Sequence, residues 1–330
     1  MKTAVRIALF FGILFFPPII TNAQVTLIDG VEAFVLVVYP DLPRPNEPFT
    51  VSMESNLITL SDAKITFFIN GVAAKNTDGT LLQSIAPAAG KTVIVRATAE
   101  TADSTYQNQV AITPQDAVLV LEPGSTIPPA YKGAALLPAG ADTRIVAIPN
   151  FKNSSGVPIP PNQLVYSWRA GERQLEDFSG IGKSVLKITG PLRYRSETIS
   201  AYVTTQDKRF GAYAEVAMEP ATPVVRMYQV DPLIGILYSP TMPKQITMQG
   251  AEETFAAFPY FFATWPTLSW SVGGTGSGGD PTLTVRAGGA GSGTTSVRVE
   301  ASDTGTLSVA RTETQVSFGG SQSRSFFQGI

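Results

Sequence analysis

Short runs of alternating apolar and polar residues recur along the whole chain, and none settles into the three-to-four spacing of an amphipathic helix. The clearest is Thr267 to Val272. There Leu268, Trp270 and Val272 take one set of alternate positions, and Thr267, Ser269 and Ser271 take the other. A period of two sends successive side chains to opposite faces, so this run predicts a strand with one face on a core. Comparable runs carry an aromatic residue at their middle and close on glycine: ITFFING with Phe67, YSWRAG with Trp168 and LSWSVGG with Trp270. Their spacings are 101 and 102 residues, the length of a small domain rather than of a solenoid repeat.

The remaining strands follow the same register in each copy. Opening strands are expected at Val35 to Pro40, Ala117 to Pro123 and Val224 to Val230, and second strands at Phe49 to Glu54, Arg144 to Pro149 and Thr254 to Pro259. LLQSIAP, SVLKITGP and PTLTVRAG come after the aromatic strand. Alternation then returns in Val93-Val95-Ala97, Ile199-Ala201-Val203 and Val297-Val299-Ala301. Closing strands QVAITP, EVAMEP and QVSFGG end each copy. Six or seven short strands per hundred residues, with turn residues between them, predict antiparallel two-sheet sandwiches. The expected layout is three tandem domains at 24–114, 115–220 and 221–320, joined at Pro114 and Pro220 with little linker, then a polar tail over 321–330.

A mid-strand aromatic is where immunoglobulin-like domains keep a core Trp. Several segments extend that likeness. They are YPDLPRPNEPFTV, PPAYKG with the following LP (Pro128 to Pro138), DPLIGILY (Asp231 to Tyr238), FPYFF (Phe258 to Phe262) and the VSFG ending. In these the chain resembles a family of exported immunoglobulin-like array proteins of small-genome candidate-phylum bacteria (Patescibacteria), over Val35 to about Gly320. Phe67 departs from the Trp typical of that position, a change of core volume rather than of fold. The resemblance implies an exported all-β array and carries across neither an activity nor a functional residue.

Composition narrows the chemistry. Charged residues are 15% of 330, the formal net charge is −2, and Lys and Arg are scattered singly. No basic surface is concentrated enough to displace the counterions of a nucleic acid. There is no Cys and no His. Disulfides, thiolate nucleophiles, Ser-His-Asp triads and common zinc or haem sites are therefore excluded, and no cofactor is expected. At the N-terminus, Lys2 and Arg6 precede the apolar run Ile7 to Phe16, which Pro17 and Pro18 break before Thr21-Asn22-Ala23. This predicts an export signal over residues 1–23, cleaved ahead of Gln24. The alternative, an uncleaved anchor, has fewer apolar residues than the roughly 20 of a membrane span.

Gly180-Ile181-Gly182-Lys183-Ser184 has the ending of a phosphate-binding loop, but Asp177 stands where glycine is required and a strand pattern follows where a helix is needed. Ser61 and Lys64 have Ser-x-x-Lys spacing without the helix that would bring them together. The acidic residues are spread over turns and make neither a glycosidase pair nor a calcium loop. Gly273 to Gly279 reads as a flexible connection.

In Phe258 to Pro266, alternation cannot bury Phe258, Tyr260 and Phe262 on the same face as Phe261. Some of these rings are therefore expected outside the sandwich core. They either pack against the preceding domain or under their own loop, or form a partner-binding patch of Tyr260, Phe262 and Trp265. The apolar stretch Leu233 to Tyr238 is expected to glue neighbouring domains. Together these features predict a non-catalytic exported rod that binds a protein or glycan at the cell envelope, meeting a membrane only through an uncleaved N-terminus. A structural spacer or accessory subunit of an envelope assembly such as a pilus is the alternative.

Overall fold

A computed structural model describes residues 34–75, 77–238, 242–288 and 291–319. The expected signal segment, Gln24 and the tail lie outside these residues. Among the described residues the elements are strands, with single 3-10 turns at Leu60–Asp62, Pro161–Gln163 and Glu176–Phe178. By compactness the chain forms two units: one runs to Pro114 and includes Asp207–Phe210, and the other holds Gln115–Gln206 and Gly211 onward. Compactness does not divide the chain at the Pro220 boundary expected from sequence.

The first unit contains β1 (Phe34–Tyr39), β2 (Pro48–Ser55), β3 (Lys64–Ile69), β4 (Val72–Ala73), β5 (Thr77–Asp78), β6 (Leu81–Ile85), β7 (Val93–Glu100) and β8 (Thr105–Ile112). One sheet runs β1-β2-β6-β5 and the other β4-β3-β7-β8. Their inward residues share one core, with Leu36, Val51 and Leu82 from the first sheet and Phe67, Val95 and Ala97 from the second. Strands one, two, six and five against four, three, seven and eight is the Greek-key order of an immunoglobulin-like sandwich.

The second unit holds two further sheet pairs. The middle pair has β9 (Asp116–Pro123), β10 (Asp142–Asn150), β11 (Val165–Ala170), β12 (Arg173–Gln174), β13 (Gly180–Ile181), β14 (Val185–Thr189), β15 (Glu197–Thr204) and β16 (Gly211–Met218). Its sheets run β14-β10-β9 and β12-β11-β15-β16, with β13 added on β11. The last pair has β17 (Val224–Asp231), β18 (Gly235–Ile236), β19 (Gln245–Thr247), β20 (Glu252–Tyr260), β21 (Thr267–Val272), β22 (Thr275–Gly276), β23 (Thr282–Arg286), β24 (Gly293–Asp303) and β25 (Ser308–Phe318). These form sheets β18-β17-β20-β23 and β19-β25-β24-β21-β22 around a core that includes Phe255, Trp270 and Val299. Here the opening strand is divided between sheets. β17 runs antiparallel to β20, and after a hairpin β19 joins β25 in parallel.

The repeat seen in the sequence has a physical basis at the aromatic strand. In every copy the carbonyl of Phe67, Trp168 or Trp270 accepts a hydrogen bond from the residue seven positions later, Ala74, Leu175 or Ser277. This fixes the hairpin that follows. Both tryptophans are fully buried, and an indole N–H needs a partner there. Trp168 Nε1 donates to Lys183 O at 2.8 Å and Trp270 Nε1 to Asp280 O at 2.7 Å. Each acceptor lies two residues before the strand that crosses to the opposite sheet, so the indole ties the two sheets together. Phe67 fills the same core site without a donor.

Two local expectations change. Gly273 to Gly279 is an ordered hairpin rather than a loose connection: β22 pairs with β21, and Trp270 N donates to Gly278 O at 2.9 Å. Gly273 and Gly274 take left-handed φ of 57° and 84°, which glycine adopts without strain. The Leu233 to Tyr238 stretch, expected to glue neighbouring domains, is not buried at its first two residues. Leu233 and Ile234 are 92% and 75% exposed at the tip of the β17–β18 hairpin. Asp231 shapes that turn, its carboxylate accepting from the N–H groups of Leu233 and Ile234.

Candidate functional site

The outward face of the β17–β20 ladder carries an aromatic cluster. Along β17, Val225 and Met227 point into the core, which turns Val224, Arg226 and Tyr228 outward. Phe255 and Ala257 do the same on β20, turning Phe258 and Tyr260 outward beside Arg226 and Val224. The alternation then breaks at Phe261, which has a left-handed φ of 62°. That conformation costs an L-residue roughly 1–2 kcal/mol, and it shifts the side-chain phase by one position. Phe262 therefore returns to the core, although simple alternation from Tyr260 would leave it outside.

Thr126, just beyond β9 of the middle sheet pair, holds this irregular segment. Thr126 N donates to Phe262 O at 2.8 Å, and Phe261 N donates to Thr126 O at 2.8 Å. The hydroxyl adds two bonds, accepting from Phe262 N at 3.0 Å and donating to Phe262 O at 3.1 Å. Farther along, Ala221 N donates to Leu137 O at 2.7 Å. These contacts place the loop after β9 against the outer face of the last sheet pair, and that loop brings Tyr131.

The rings fall into two triads. Tyr131 meets Tyr260 and Phe261 edge-on, with centroids 5.7 and 5.8 Å away, while Tyr260 and Phe261 lie 5.9 Å apart. Tyr228, Tyr238 and Phe258 form the second triad, with separations of 5.5, 5.9 and 5.7 Å. Four of these six contacts are edge-to-face, a favoured aromatic geometry, and the Tyr260–Phe261 and Tyr238–Phe258 pairs are tilted. A hydrogen bond of 2.6 Å between the Tyr228 and Tyr260 hydroxyls joins the triads. Burial and this bond hold the Tyr260 phenol well above its usual pKa. Between the triads and the loop is a groove of about 510 Å³, whose rim includes Lys132, Leu136 and Arg226.

The three residues expected to bind a partner together are separated. Phe262 is a core residue, 1% exposed, because Phe261 is not extended and the alternation cannot be counted through it. Tyr260 is buried beneath Tyr131. Trp265 alone is exposed, at 56%, and makes no ring contact among the described residues. Tyr131, Tyr228, Tyr238, Lys132 and Arg226 are the site residues that sequence reasoning missed. The signal for two of them was present, since Arg226 and Tyr228 occupy the non-core phase of VVRMYQV.

Among the described residues the groove lining contains no carboxylate. Among the described residues no group of three or more Asp, Glu, His or Cys side chains could hold a metal, and no helix is long and apolar enough to cross a membrane. Lys183 of the phosphate-loop-like segment donates to Asp177 O and leads into β14, not into a helix. Lys64 begins β3 and faces Glu100 at 3.6 Å.

No protein-family model and no curated protein matches the chain. Among solved structures it is similar to the three N-terminal domains of the highly immunogenic outer capsid protein of bacteriophage RB49. That match has 13% identity over 87% of this chain and 98% of the other, with a TM-score of 0.24. It is similar to immunoglobulin domains 1–5 of Sidekick-1 at 11% identity, covering 88% and 60%, TM-score 0.32. It is also similar to SGBP-B of the Bacteroides ovatus mixed-linkage glucan utilisation locus, solved with a mixed-linkage heptasaccharide, at 12% identity, covering 90% and 69%, TM-score 0.22. At identities this low the likeness is one of fold alone.

Proposed function

We propose that the protein is an exported, non-catalytic binding protein of the cell envelope, built of three immunoglobulin-like domains and akin to the Patescibacteria arrays it resembles. Its groove between the middle and last sheet pairs engages a protein or glycan. The observation that carries this reading is the pair of aromatic triads, which sit on an outer sheet face rather than in a core. Aromatic rings concentrated around a groove give large contact area at little conformational cost. The test uses the chain immobilised and challenged with envelope extract and a glycan array, beside Tyr131→Ser and Tyr238→Ser variants that keep the parent melting curve. Retention that both variants abolish is expected. Retention indifferent to both would place binding elsewhere.

One observation favours the second reading, a subunit of an envelope assembly. Leu233 and Ile234 are two adjacent aliphatic side chains presented on a hairpin tip. If that tip docks into an assembly, Leu233→Ser with Ile234→Ser prevents incorporation while leaving retention of the soluble ligand intact.

A further inference from the structure

We infer that the groove takes a carboxylate-bearing carbohydrate, a uronic-acid or similar acidic oligosaccharide; the inference rests on the reading of the groove as a binding site. Three features carry it. The first is charge. Lys132 and Arg226 both line the groove, and among the described residues neither forms an ion pair and no carboxylate lines the groove beside them. Two cations with no carboxylate among the described residues of the lining favour an anionic occupant, and the guanidinium matches a carboxylate through two parallel hydrogen bonds.

The second is the surface between the cations. Tyr131 and Phe261 on one side and Tyr238 on the other are only partly covered by their neighbours, so ring surface remains open to a ligand. The C–H faces of a pyranose ring pack on such surfaces, while its hydroxyls need polar partners. The Tyr228–Tyr260 pair supplies one: two hydroxyls carry two hydrogens, and the bond between them uses one. The other remains to donate.

The third is size. A volume of about 510 Å³ lies within the roughly 300–1,000 Å³ of compact ligand sites. It suits a few sugar rings, whereas a protein partner covers a far larger surface. Position adds a constraint on orientation. Arg226 pairs across the ladder with Phe258, and its charge reaches the Tyr260 hydroxyl, so the ligand carboxylate sits toward the triad junction.

The experiment is calorimetric titration of the full chain with trigalacturonate, with a sialic-acid-bearing trisaccharide, with the carboxyl-reduced form of each, and with a hexaglutamate peptide. At least one acidic sugar is expected to bind at least tenfold more tightly than its reduced form, with affinity falling as salt rises. Arg226→Gln and Lys132→Gln should each remove most of that difference, and Tyr238→Ala should weaken acidic and reduced forms alike. All three positions are on the surface, and unchanged melting of the variants confirms that they fold. Equal binding of acidic and reduced sugars would overturn the inference, as would hexaglutamate binding without sugar binding. Absence of sugar binding while Tyr131- and Tyr238-dependent retention of envelope material persists would overturn this inference and leave the binding reading standing. Loss of that dependence removes both.

Discussion

Replacing Thr126 with Val tests whether the segment around Phe261 is sealed by the middle sheet pair. Valine keeps the shape and β-branching of threonine, and the two main-chain bonds between Thr126 and Phe261–Phe262 are untouched by the exchange. Only the hydroxyl goes. Phe262 O keeps its bond from Thr126 N, so losing the hydroxyl donor matters little there. Phe262 N has the hydroxyl as its acceptor, and the residue is 1% exposed. An N–H buried without a partner costs about 1–3 kcal/mol. Taking about 2 kcal/mol, the melting transition of the second unit should fall by about 4–8 °C, as expected for a unit of this size. Differential scanning calorimetry of the full chain measures the shift. Thr126→Ser keeps the hydroxyl, loses one methyl, and should recover most of the difference. A valine variant that melts with the parent would refute the argument, because solvent would then be reaching Phe262 N. A serine variant as damaging as valine would refute it too, by tracing the effect to packing.

Other outcomes follow from the cores and the N-terminus. Trp168→Phe and Trp270→Phe keep an aromatic filler but strand Lys183 O or Asp280 O, and each should destabilise its own sheet pair by about 1–3 kcal/mol in denaturant titration. Burial pushes the Tyr166 phenol up to about 12, and its hydroxyl donates to Pro161 O at 3.0 Å. Its folded pKa therefore exceeds the unfolded value near 10, so the contribution is complete below pH 10 and lost as pH rises toward 12. Tyr166→Phe should flatten alkaline unfolding monitored by circular dichroism over that window. N-terminal sequencing of exported protein should begin at Gln24; a product that retains Met1 would assign an anchored form.

Where alternation is strict, the fold could be read from sequence. Tyr166, Trp168 and Ala170 share the buried face of β11 as their spacing requires, and the opening and second strands lie within two residues of the expected bounds. The candidate site was only half legible, for a local reason. Alternation assumes extended backbone, and Phe261 is left-handed without being glycine, so nothing in its identity announces the phase shift that buries Phe262. The placement of Tyr131 depends on a strand-like tie more than a hundred residues away in sequence, which no local pattern records. The two cations escaped notice because Lys132 and Arg226 are distant along the chain and line one groove only when the loop after β9 lies against β17.

The tie made by Thr126 has a consequence for how this surface can change over time. Three of its four hydrogen-bonding contacts reach the main chain of Phe262 and the fourth reaches that of Phe261; none depends on which side chains those positions carry. The rings and cations that define the groove hang from a backbone clamp that is blind to their identity. Substitutions at Tyr131, Tyr238, Lys132 or Arg226 can therefore retune what the groove accepts without loosening the clamp. A lineage or a designer can diversify this face much as antibody loops are diversified on a constant frame, with Thr126 as the position to leave alone.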